Sequence, residues 1–159
     1  MQPINSKLID DLLEEAKNEL RMRKTRVLKP ESYSGVRPLL NAMFPGTYIR
    51  PHRHGERSDE YWLVLRGKIA PVYFTNRGNI KNYQIVSESS EEVSPLIHLP
   101  EKEFHSLVVI DHPAVILEIT QGPYNPKTYK EFAPWAPLES DVEGSKRYLD
   151  NLISILNIT

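Results

Sequence analysis

Apolar positions change their period twice along the chain. Across residues 5–24, Leu8, Ile9, Leu12, Leu13, Ala16 and Leu20 recur at helical spacing, which predicts an amphipathic helix. Asn5 or Ser6 supplies its N-cap, and Arg21, Arg23 and Lys24 sit where a helix dipole favours cations. The basic run 21–26 is therefore read as a solvated helix end rather than an anion site. From 36 to 119 the pattern becomes short apolar runs separated by turn residues, predicting strands at 36–44, 47–50, 61–65, 69–74, 80–86, 96–99, 106–110 and 114–119. Asn76-Arg77-Gly78-Asn79 predicts a hairpin turn. Strands at this even spacing suit a jelly roll or a small closed barrel over residues 34–121.

Residues 122–139 break the alternation again. Pro123, Pro126, Pro134 and Pro137 forbid regular helix and predict an extended strap, with Phe132 and Trp135 packing back on the barrel near its mouth. A second helix is expected over 140–157. Ser140 and Glu143 read as its capping box, and Tyr148, Leu149, Leu152, Ile153 and Leu156 as its apolar stripe. The expected architecture is mostly β, one domain over 1–159, with an amphipathic helix at each end.

Composition narrows the function classes. A formal charge of −1 with 26% charged residues argues against a nucleic-acid or membrane-surface binder. There are no cysteines, so any metal must be held by nitrogen and oxygen donors. The charged N-terminal stretch lacks an apolar core of signal-peptide length, and a cytoplasmic protein is expected.

The candidate chemistry lies between Gly46 and Gly67. His52 and His54 are two apart, so on an extended strand they project to one face. Glu60 follows a short polar loop and opens an apolar strand, and His105 follows Pro100 by five positions. Three imidazoles and a carboxylate suit Fe(II), Mn(II), Ni(II), Co(II) or Zn(II) and leave positions for water or substrate. Glu56 and Asp59 are rivals to Glu60 as the carboxylate. His98 and His112 are read as structural, His112 in a turn.

These residues carry a resemblance. G-x5-H-x-H…E-x6-G followed by P-x4-H resembles the two motifs of the cupin superfamily, small β-barrels with a metal in the mouth. PGTYIRPHRH, EYWLVLRGKI, PEKEFHSLVV, LEITQGPYNP and KEFAPWAPLE, spanning 43–139, look like the WbuC-type cupins, often encoded with surface-polysaccharide genes. Two departures stand out. Five residues rather than three or four separate His54 from Glu60, and Lys102 and Val109 replace the usual Gly and Asn of the second motif.

Strand parity extends the site. Tyr48 and Arg50 share parity with the histidines unless Pro51 shifts the register, and Trp62 shares it with Glu60, so these three are candidate substrate contacts. Arg50 would pair with an anionic group. Glu118, a charge in an apolar strand, is the candidate general acid or base, and Tyr124 a further proton donor. The resemblance implies a metal-dependent homodimer acting on a small polar or anionic ligand, a sugar or sugar nucleotide in surface-glycan synthesis, with the metal as Lewis acid in isomerase, epimerase or hydrolase chemistry. A non-catalytic metal-assisted sugar-binding module and an Fe(II) oxygenase are the alternatives.

Overall fold

The computed structural model describes residues 3–28, 35–55, 59–88 and 93–158. Its elements run α1 (Ser6–Lys17), β1 (Arg23–Val27), β2 (Val36–Met43), β3 (His52–Arg53), β4 (Glu60–Phe74), β5 (Ile80–Tyr83), β6 (Val86–Ser87), β7 (Leu96–Leu99), β8 (Phe104–Gln121), β9 (Glu131–Phe132) and α2 (Val142–Leu156). The strands form one curled antiparallel sheet with the cupin jelly-roll plan. β8 is its spine: β4 pairs along its length, β2 pairs with its second half, and β3 joins at His105.

Two long strands replace four expected ones. Gly67 and Asp111-His112-Pro113 act as bulges inside continuous strands rather than as breaks. Gly67 has φ +79° and Asp111 +59°, and the β4–β8 register shifts between Val64 and Lys68. A Cβ on Gly67 would lie 2.5 Å from the Pro113 carbonyl oxygen, so the close approach needs glycine. The extra residues switch which parity faces inward. Glu60, Trp62 and Val64 point into the barrel before the bulge, Ile69 and Tyr73 after it. On β8, His105, Leu107 and Val109 give way to Ala114, Ile116 and Glu118. The outward faces of the two halves are covered by different helices. Leu8, Leu12 and Ala16 of α1 pack on Leu40, Ala42 and Val115, while Leu149, Leu152 and Leu156 of α2 pack on Ala70, Val72, Phe74 and Val108.

Several expected boundaries are corrected. The first helix ends at Lys17 rather than 24, because the basic run turns back as β1 beside β2; Lys24 and Arg26 then pair with Glu19 and Glu15. Asn5 is the N-cap, accepting from the Leu8 N–H at 3.0 Å. The second helix starts at Val142, where Asp141, not Ser140, caps the Gly144 N–H at 2.9 Å. Residues 47–50 form no strand. The strap adds β9 to β3 and seats Trp135 outside the barrel, 5.2 Å from Phe74 and 5.9 Å from Phe104 between ring centroids. Gly78 (φ +86°) turns the predicted hairpin directly over that indole.

Candidate metal centre

Three elements converge at the barrel mouth. β3 supplies His52, the residue after β3 is His54, and His105 faces His52 across the β3–β8 ladder. The three rings lie 4.7–5.3 Å apart, with candidate ligand atoms within 4.8 Å of one another. Every Nδ1 is held by a backbone carbonyl: His52 by Arg50 at 3.0 Å, His54 by Tyr129 at 2.8 Å and His105 by Glu103 at 2.9 Å. A carbonyl only accepts, so each Nδ1 carries the proton and each Nε2 presents a lone pair, the second-shell arrangement of metal-binding histidines.

Glu60 completes the cluster from the start of β4. Its Oε2 lies 2.9 Å from His54 Nε2 and 3.6 Å from His105 Nε2, and its Oε1 accepts from Trp62 Nε1 at 2.9 Å. Glu60 Oε2 and the Nε2 atoms of His54 and His105 are buried without a hydrogen-bond partner. Acceptors converging this closely away from water repel unless a cation lies among them. Three imidazole nitrogens and one carboxylate oxygen are a donor set for a divalent transition ion. Of the rivals to Glu60, Asp59 faces outward and bonds His98 at 3.1 Å, and Glu56 lies outside the described residues. Lys102 keeps a left-handed φ of +65° at the position where the second cupin motif usually has glycine.

A cavity of about 270 Å³ opens over His52 and Glu60, lined also by Asn41, Trp62, Ile116, Glu118, Tyr124, Lys130 and Phe132. Glu118 accepts from Asn41 Nδ2 at 2.7 Å. Burial, then the Glu60 carboxylate beside it, pushes the Glu118 carboxyl well above its ordinary 4.5. Burial acts to raise Glu60, but hydrogen bonding from neighbouring side chains, the protonated Glu118 among them, holds it below 4.5. The two carboxyls are thus pushed apart, Glu60 towards its ionised form and Glu118 towards its protonated one. Burial lowers the His52 imidazole well below 6.5, with Lys130 and the neighbouring histidines adding to it, so it stays a neutral donor.

Not every expected contact reaches this cavity. With no strand at 47–50, Pro51 breaks the parity assumed for Tyr48 and Arg50. Tyr48 donates to the Pro137 carbonyl at 2.9 Å and packs on Tyr148, outside the cavity. Arg50 donates to the Ala133 carbonyl at 2.7 Å and lies over Phe132, so its charge is held by the strap. Trp62, Glu118 and Tyr124 do line the cavity, Tyr124 under the Arg37 guanidinium at 4.4 Å. His112 lies in the β8 bulge, within a strand rather than a turn. Lys130 and Asn41 are among the cavity residues that sequence reasoning missed; one of two lysines in a proline-rich strap and an asparagine in an apolar strand belong to no motif.

A family model matches residues 4–86, more than half of the chain. The chain belongs to the family described as Domain of unknown function (DUF6016). No curated protein matches this DUF6016 chain. Among solved structures it is similar to protein SO0799 from Shewanella oneidensis, with TM-score 0.60 and 11% identity over 94% of each chain. It is also similar to an uncharacterized conserved protein with a double-stranded beta-helix domain from Klebsiella pneumoniae, with TM-score 0.58 and 13% identity over 84% of this chain and 98% of that one. A third likeness is to CapF, solved with the inhibitor 3-isopropenyl-tropolone, with TM-score 0.55 and 19% identity over 68% of this chain. The chain spans about a third of CapF (31%). At these identities the likenesses establish the cupin fold. No helix among the described residues is long and apolar enough to cross a membrane.

Proposed function

We propose that His52, His54, Glu60 and His105 hold one divalent transition metal ion, and that the cavity above them is the active site of a cytoplasmic enzyme acting on a small carbohydrate. The observation that carries this reading is the convergence of buried acceptors, each histidine already oriented through its Nδ1. The bound ion would act as a Lewis acid towards hydroxyl or carbonyl oxygens. The chain's own residues supply the rest. Glu118, inside the cavity and biased towards its protonated form, is placed to give or take a proton, as isomerisation, epimerisation or hydrolysis requires. An acid in this position favours a catalyst over a binding module. Trp62 and the half-exposed ring of Phe132 offer faces for a sugar ring, and Tyr124 a further wall. The volume of about 270 Å³ lies just below the usual ~300–1,000 Å³ of ligand sites, so it takes one ring, with any nucleotide outside.

The resemblance to WbuC-type cupins supports a substrate from surface-glycan synthesis and a homodimer. The test is NMR of mono- and disaccharides incubated with the metal-loaded protein, beside Glu118→Gln. Conversion by the native protein that Glu118→Gln loses, at equal metal content, is expected. Ligand binding without conversion would make it a binding module, and oxygen-dependent conversion with iron would make it an oxygenase.

A further inference from the structure

Among the described residues three cations line the cavity, and two are already paired. Arg21 and Arg23 each reach Glu139 at 2.8 Å, and Arg23 also donates to the Tyr48 carbonyl at 2.6 Å. Lys130 is different. It is half-buried in the strap, and among the described residues it has no hydrogen bond and no ion pair, its Nζ lying 5.9 Å from the Tyr129 ring centroid. Its backbone is fixed on both sides. The Tyr129 carbonyl holds His54 Nδ1 at 2.8 Å, and Glu131 pairs with Arg53 at 2.7 Å next to the β9–β3 ladder. The lysine is thereby registered to the histidine cluster through two anchored neighbours. It lines the same cavity as His52, Glu60 and Glu118. An ammonium at the cavity wall with no bonded partner calls for an anion.

We propose that Lys130 anchors the carboxylate of the ligand, so that the site takes a small hydroxy acid, a sugar acid rather than a neutral sugar. This rests on the metal reading above. The ligand's hydroxyl oxygens face the histidine cluster, and its carboxylate takes the charge-assisted bond that Lys130 lacks. It also gives the cavity the anionic contact that Arg50 does not supply, since that guanidinium is held on Ala133.

The test is calorimetric titration of the zinc-loaded protein with D-glucuronate and with methyl glucoside, in native, Lys130→Met and Lys130→Arg forms, with metal content measured for each. Native protein should bind glucuronate at least tenfold more tightly than the glucoside. Lys130→Met should lose roughly 10–100-fold for glucuronate alone, and Lys130→Arg should recover part of it, at unchanged metal content. Equal binding of the two probes, no binding of glucuronate, undiminished binding by Lys130→Met, or loss of metal in that variant would each overturn the proposal. A native protein that takes up no divalent ion fails the metal reading itself. Failure at full metal loading fails this inference alone.

Discussion

The two faces of the β2–β8 pair make opposite uses of one stretch of backbone. Outward, Leu40, Ala42 and Val115 are fully buried beneath α1 in a wholly apolar contact. Inward, one residue along, Asn41 and Glu118 meet in a hydrogen bond on the cavity wall. A helix needs only shape and hydrophobicity beneath it, and many side chains can satisfy that. The inner face holds an acid beside a second carboxylate, an arrangement that costs stability and persists where chemistry uses it. The outer face should therefore govern folding and the inner face function, with little exchange between the two.

The widest separation is expected from Glu118→Gln. The amide still accepts from Asn41 and resembles the protonated acid in shape and charge, so the unfolding free energy should change by less than about 1 kcal/mol. Any turnover should fall by roughly 10²–10⁴-fold, read at equal metal content. Leu40→Ala should do the reverse. Denaturant unfolding should show a loss of about 2–5 kcal/mol, with metal content and ligand affinity unchanged in the protein that remains folded. A Leu40→Ala protein that folds normally but loses metal would erase the distinction between the faces.

The same comparison shows what the sequence made readable. Periodicity revealed α1 and the apolar runs because each has a face dedicated to burial, and the H-x-H…E…H pattern revealed the cluster because its donors are rare residues at fixed spacing. The bulges were not legible. Gly67 and Asp111-His112-Pro113 carry the same chemistry whether they end a strand or let its register shift; only the partner strand decides. β1 was hidden for a related reason. Arg23 and Thr25 line the cavity while Lys24 and Arg26 reach acids beside α1, so this strand has polar residues on both sides and no hydrophobic alternation. Tyr48 and Arg50 were misplaced because parity was counted through a segment that is not a strand.

A smaller effect separates the strap from the site. Glu139 ties β1 to the strap through Arg21 and Arg23. Burial would raise its carboxyl, but the bond from Arg23, with the Arg50 N–H and Arg21 adding, keeps it below 4.5. Its folded state binds fewer protons than the unfolded chain in acid, so its stabilisation is complete above about pH 4.5 and is lost as pH falls through the lowered value. Glu139→Gln should flatten that acid limb and cost about 1 kcal/mol at neutral pH, with metal content unaltered. Denaturant titrations from pH 3 to 7 read both.

Elemental analysis of the untagged protein, purified without chelator, beside a His52→Ala/His54→Ala variant, tests the central claim most directly. The account predicts near-stoichiometric transition metal in the native protein and none in the variant, with a chelator lowering the native unfolding temperature alone. Native protein that is metal-free, takes up none of Zn(II), Ni(II), Mn(II), Co(II) or Fe(II), and unfolds at the same temperature with chelator would contradict it.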